Sequence, residues 1–170
     1  MYYADLTINR YHTGPFNPVD WRVPLLTVGW LEHPHEFTGG DVPHGFASIL
    51  REMAECARSL YRHYYFRGVH TCSLCTATGA VPPGPIWSQE NLFIPGRNVI
   101  YLSPGGIDHY VEAHLYSPPK NYVDAVLSCP PYGSRAYCDA LRAANRGETI
   151  PLLTREESDR QLGLPLRPPP

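Results

Sequence analysis

Two pairs of metal-ligating residue types stand far apart in this chain, and their spacing limits how the backbone between them can run. The first pair is in Cys72-Ser73-Leu74-Cys75, with His70 two residues ahead of it. The second is in His109-Tyr110-Val111-Glu112-Ala113-His114. Two thiolates separated by two residues can grip one tetrahedral ion from a tight turn, and histidines with four residues between them fall within zinc-site spacing. If all four hold one ion, the 33 residues between Cys75 and His109 form a closed excursion. A DNA-reading zinc finger has about 12 residues there, so a base-reading role does not follow.

Geometry adds a condition. On a regular helix, five steps of about 100° leave His109 and His114 about 140° apart. The rings converge only where the helix loosens near its end, and Pro118-Pro119 prevents its continuation. The expected ligands are Cys72, Cys75, His109 and His114, with His70 as the alternative, and the expected cofactor is Zn2+. His70 would need the chain to fold back within one dipeptide. The competing view makes both cysteines ordinary buried residues. A redox Cys-x-x-Cys is disfavoured. Such a pair opens a helix after a strand, whereas Thr76-Ala77-Thr78-Gly79 reads as a turn.

The rest of the chain reads as α+β: a single domain with a zinc-finger-like Cys-x-x-Cys turn, a β-hairpin and several short helices. Residues 1–22 read as an irregular arm. Pro24 to Trp30 is an apolar run of strand length. The strongest element is a helix over about 43–65, with Asp41 as N-cap and Pro43 in its first turn. Phe46, Ile49, Leu50, Met53, Ala57, Leu60 and Tyr64 fall on one apolar stripe. Residues 69–104 read as β structure, in which Pro95-Gly96 forms a type II turn between strands 91–94 and 98–102. Further helices are expected over about 105–116, 118–127 (capped by Ser117) and 135–146 (after Ser134, ending at Gly147). Thr154-Arg155-Glu156-Glu157 fits a capping box. These elements give a metal-binding domain over 1–150 and a C-terminal extension over 151–170.

Composition narrows function more than fold. The formal net charge is −2, which argues against a nucleic-acid binder, whose affinity comes from neutralising phosphates. No stretch approaches the roughly 18 apolar residues of a membrane span, and the N-terminal residues carry no signal-peptide pattern. The five cysteines are odd in number, and a close pair in a chain without an export signal reads as metal-binding before it reads as a disulfide. A cytoplasmic protein is expected.

Several blocks together resemble a family of uncharacterised bacterial proteins. They are Tyr3-Ala4-Asp5-Leu6-Thr7, Val28-Gly29-Trp30-Leu31, Arg67-Gly68-Val69-His70-Thr71-Cys72-Ser73-Leu74-Cys75, and the run from His109 to Pro119. The resemblance covers about residues 3–127. It implies a shared fold around a Cys/His cluster and no established activity. The loop Val81-Pro82-Pro83-Gly84-Pro85 is longer than the family pattern.

Two functions compete. One is a small protein with a structural Cys2His2 zinc site that acts by binding another protein, as an accessory or immunity-like factor. The other is a zinc hydrolase using a metal-bound water, with Glu112 as general base. His-x-x-Glu-x-His is neither the His-Glu-x-x-His motif nor its inverse, and a solvated helix carboxylate is the plainer reading of Glu112. His33, His35 and His44 share one loop with Glu32, Glu36 and Asp41, where a second metal site or a catalytic base is conceivable beside the plainer reading as polar loop surface. Trp21 and Trp30 read as core. Cys56 reads as a buried, inert thiol, and Cys129 and Cys138 bracket a proline turn.

Overall fold

A computed structural model describes residues 1–10, 20–60, 71–79 and 89–147. The elements run β1 (Leu25–Thr27), α1 (Phe46–Leu60), α2 (Ser73–Thr78), β2 (Asn91–Gly96), β3 (Val99–Pro104), α3 (Ile107–His114), α4 (Lys120–Ser128) and α5 (Arg135–Ala144). The fold is α+β, as the sequence indicates. A three-stranded sheet has the order β1-β3-β2. The central strand β3 pairs parallel with β1, Leu25 opposite Ile100, and antiparallel with β2, Phe93 opposite Leu102. Ile100, Leu102, Leu92, Phe93 and Ile94 are fully buried. Each such Leu, Ile or Phe contributes about 1.5–3 kcal/mol by leaving water. Helices α1, α4 and α5 pack on β2, and α1 also packs on α3.

The hairpin differs from the expected type II turn. Strand β2 continues through Pro95 and Gly96, and Gly96 pairs with Val99. The connection is Arg97-Asn98, with Asn98 at φ 58°, a left-handed conformation that Asn tolerates. Pro95 is accepted because β2 is an edge strand. Gly96 is needed for clearance, since a Cβ there would lie 2.8 Å from the Tyr101 ring.

Other boundaries moved for local reasons. Helix α1 starts at Phe46 rather than 43, because Gly45 holds φ 79°, outside the helical region. Asp41 and Pro43 therefore precede the helix. Its stripe buries Phe46, Leu50, Met53, Ala54 and Ala57; Tyr64 lies outside the described residues. Helix α4 starts after Pro119, whose carbonyl accepts the Tyr122 and Val123 N–H groups, so Ser117 is not its cap. Helix α5 is capped by Ser134, as expected, whose Oγ accepts the Tyr137 N–H at 3.2 Å. The capping box at 154–157 lies outside the described residues.

The N-terminal arm is more ordered than its composition suggests. Tyr3 bridges Trp30 and Ile8 bridges Leu26, both antiparallel. Asp5 Oδ1 accepts the Gly29 N–H at 2.9 Å, and the Tyr116 hydroxyl donates to both Asp5 oxygens at 2.8 Å. Burial raises the Asp5 carboxyl pKa, and these two hydrogen bonds oppose that shift. Both tryptophans are packed as core residues: Trp30 is buried and donates to the Leu102 carbonyl, and Trp21 stacks on Phe93.

Gly29 and Gly45 separate two costs of a missing side chain. Both have positive φ, at 75° and 79°. A Cβ at Gly29 would lie 2.6 Å from Ile107 Cδ1, whereas a Cβ at Gly45 meets nothing within 4 Å. Gly45→Ala should cost about 1–2 kcal/mol, the left-handed penalty alone. Gly29→Ala should add about 1–3 kcal/mol of overpacking. Urea unfolding of both variants checks this, and equal costs would mean that Ile107 yields without strain.

Candidate metal centre

The cysteines come first in the chain and are set by a helix rather than a turn. Cys72 is the N-cap of α2, and its Sγ accepts the Cys75 N–H at 3.4 Å. The threonines that suggested a turn bond back along the helix. Thr76 Oγ1 donates to the Cys72 carbonyl and Thr78 Oγ1 to the Leu74 carbonyl, each at 3.1 Å, a local bond open to Thr in a helix. Gly79 ends α2 at φ 67°. The Cys-x-x-Cys pair therefore opens a helix. Ser73 ties α2 to the loop of residues 31–42, since its Oγ accepts the His33 N–H at 2.9 Å.

The histidines lie on α3, which begins just after β3. The helix end is loosened as the 140° argument requires. Leu115 sits at φ 53°, and the N–H groups of Leu115 and Tyr116 both reach the Tyr110 carbonyl, five and six residues back. The His109 and His114 ring centroids are 5.0 Å apart.

The two pairs meet. His114 Nε2 lies 3.2 Å from Cys72 Sγ and 3.3 Å from Cys75 Sγ, and His109 Nε2 lies 3.4 Å from Cys75 Sγ. One donor atom from each residue lies within 4.8 Å of every other, a Cys2His2 cluster at metal-binding distances. The thiols are buried and the imidazoles half-buried, so the cluster has a closed sulfur floor and a more open nitrogen rim. Tyr110, between the histidines, is buried beside both rings, and its hydroxyl donates to the Leu31 carbonyl at 3.4 Å.

Both imidazoles are held in the form that ligates. Burial lowers the His109 pKa, and the neighbouring His114 lowers it further, against the pull of Asp108 and Glu112. Burial also lowers that of His114. Burial raises the Cys75 thiol pKa, and Cys72 adds to this. A metal would reverse the thiol preference by its own charge.

Other sequence candidates fall elsewhere. His70 lies outside the described residues. Glu112 is exposed on α3 and ion-paired with Arg51 of α1, which also holds Asp108 at 3.0 Å. His33, His35 and His44 are exposed and belong to no cluster of potential ligands among the described residues; His35 stacks on Tyr2. Cys56 is half-buried and donates to the Tyr132 carbonyl. Cys129 and Cys138 are free thiols, and burial raises the pKa of Cys129 to about 11. Sequence reasoning missed two supports of the site. Arg51 and Ser73 act through partners distant in sequence, Asp108 and Glu112 for the one and the His33 N–H for the other.

The fold and the cluster define a small α+β domain with a Cys2His2 group of potential metal ligands. The chain belongs to a family described as a domain of unknown function (DUF7919), whose model matches residues 1–127. That match spans both halves of the cluster and stops before α5. No curated protein and no solved structure matches the chain. Among the described residues, no helix is long and apolar enough to cross a membrane.

The lowered imidazole pKa values have a measurable sign. A folded-state pKa below the unfolded value gives stability that is present above the unfolded pKa and is lost as pH falls through the folded one. In metal-free protein, NMR should show His109 and His114 titrating below 6.5, with unfolding free energy falling as they protonate. A titration above 6.5 for either ring would mean that a thiolate stabilises its cation.

Proposed function

We propose that the chain is a small zinc-binding protein whose site is structural and whose activity is the binding of another protein. One observation carries the reading: two thiols and two imidazoles converge on one point from two helices. Tetrahedral zinc with bonds of about 2.3 Å to sulfur and about 2.0–2.1 Å to nitrogen sets S···N separations near 3.6 Å. The three S···N distances of 3.2–3.4 Å are slightly shorter, so small side-chain shifts admit the ion. Four protein ligands fill a tetrahedral sphere and leave no position for water, the mark of structural sites. Glu112, the general base of the hydrolase alternative, is engaged by Arg51. A net charge of −2 favours a protein partner over nucleic acid. In this reading residues 1–150 form the metal-binding domain, 151–170 extend from it, and a reducing compartment keeps the thiols available.

Purified protein should hold about one zinc per chain by native mass spectrometry. The apo mass alone, with every thiol free, would end the reading. Cys72→Ser and Cys75→Ser should each destabilise by more than ~3 kcal/mol, because metal binding is also folding energy. Cys56→Ser should cost only about 1 kcal/mol, through packing and one thiol hydrogen bond. Equal melting shifts for all three would deny the pair a special role.

The histidines separate structural from catalytic readings. His109→Ala and His114→Ala should each weaken zinc binding by more than about 100-fold in a chelator competition, since losing even an outer partner costs about 10–100-fold. His70→Ala should act more mildly, and Glu112→Gln should leave affinity unchanged. Release of zinc by His70→Ala, with retention in either helix variant, would replace the ligand set.

A further inference from the structure

We infer that Cys72 and Cys75 form a peroxide-responsive dithiol whose oxidation to a disulfide expels the metal. The metal half of this rests on the reading above, and the dithiol half rests on geometry. Residues 76–79 read as a turn in the sequence, which weighed against redox chemistry. In the structure Thr76–Thr78 belong to α2, which removes the turn, while residues 61–70 ahead of the pair lie outside the described residues. Cys72 caps α2, Cys75 lies within its first turn, and the Cys75 N–H points at Cys72 Sγ. A Cys-x-x-Cys pair opening a helix is the arrangement of dithiol redox sites. Both sulfurs lie within 3.3 Å of the same nitrogen, His114 Nε2, so they already face one point.

Access selects the oxidant. The residues Cys72 and Cys75 are 2% and 3% exposed, while the imidazoles above them are half-buried. Thiols buried this deeply favour an oxidant as small as hydrogen peroxide over a bulky disulfide such as oxidised glutathione. The other three cysteines offer no comparable pair. Cys56 is engaged with the Tyr132 carbonyl, and none of the three belongs to a group of three or more potential ligands among the described residues. Oxidation starts from thiolate, which metal coordination supplies at Cys72 and Cys75.

The chemistry closes without another reactant. One thiolate attacks a peroxide oxygen, the O–O bond breaks, hydroxide leaves, and a sulfenic acid forms. The second thiolate attacks that sulfur, the S–S bond forms, the S–O bond breaks, and a second hydroxide leaves. Two solvent protons turn the hydroxides into water. The sulfurs lose two electrons, and peroxide accepts them. A disulfide is a poor ligand, so the ion keeps only two imidazoles and dissociates. A thiol reductant returns the electrons and restores the site.

The test uses the full-length zinc-loaded protein, titrated with hydrogen peroxide. Zinc release is read with a chromogenic chelator, and the Cys72–Cys75 peptide is read by mass spectrometry. The expected result is one zinc released per chain, in step with loss of two hydrogens from that peptide and reversed by dithiothreitol. Oxidised glutathione at equal oxidising equivalents should act at least about tenfold more slowly. A triple variant with Cys56, Cys129 and Cys138 changed to Ser should behave as the parent does. Zinc retained while other thiols oxidise would overturn the inference, as would release accompanied by sulfinic acid and no disulfide. Equal rates with both oxidants would overturn the access argument. A protein that takes up no zinc would overturn the metal reading alone. The same peptide mass after peroxide then decides the dithiol, with a disulfide supporting it and free thiols refuting it.

Discussion

The cluster depends on the clearance at Gly29. That residue takes φ 75°, and the side chains of Ile107 and Tyr116 crowd the place where a Cβ would stand. Ile107 opens α3, and Tyr116 follows its last turn. Both ends of the histidine helix are therefore referred to one backbone point beside β1. Asp5 reinforces the point by accepting from the Gly29 N–H and from the Tyr116 hydroxyl. Because β3 leads directly into α3, the pairing of Leu25 with Ile100 and Thr27 with Leu102 carries the register of the sheet into the positions of His109 and His114. Close packing resists sliding, so the register of the sheet sets where the imidazoles stand.

The cysteine side is held differently. Helix α2 spans only Ser73–Thr78, and among the described residues its hydrogen-bonded tie to the rest of the fold outside the cluster is the bond from the His33 N–H to Ser73 Oγ. An isolated helix of that length has no stability of its own. Its buried residues are Leu74 and Cys75, beside the buried cap Cys72. Two of these three anchors are thiols facing the imidazoles. An ion bound there would join a weakly held segment to a firmly held one, and most of its binding energy would appear as stability of the α2 region.

Long periodic patterns were legible in the sequence because their cause is local. The stripe from Phe46 to Ala57 and the Ser134 cap needed only spacing and side-chain chemistry. The loosened end of α3 followed from the angular mismatch between His109 and His114 and from the prolines after them. The misread places depended on information from elsewhere in the fold or on single φ angles. Pro95-Gly96 is a standard turn pair, yet edge position and the Tyr101 ring kept both residues in the strand. Thr76 and Thr78 suggested a turn until their hydroxyls found carbonyls within the same helix. The arm looked irregular because its bridges to Leu26 and Trp30 follow no alternating pattern. The convergence of the four potential ligands was legible from residue type and spacing, whereas the roles of Arg51 and Ser73 depended on partners distant in sequence.

Arg51 bears on the choice between structural and hydrolytic chemistry. A general base must reach the water it activates and must be free to take its proton. Glu112 projects from the exposed side of α3, and its carboxylate is occupied by Arg51, which also takes Asp108 from the previous turn. The two carboxylates nearest the imidazoles in sequence are thus turned toward α1. The pairing is itself exposed and contributes little stability. It marks the side of α3 that packs against α1. With those carboxylates engaged there, the four groups that meet at the cluster are sulfur and imidazole nitrogen, the donor types that a zinc ion takes.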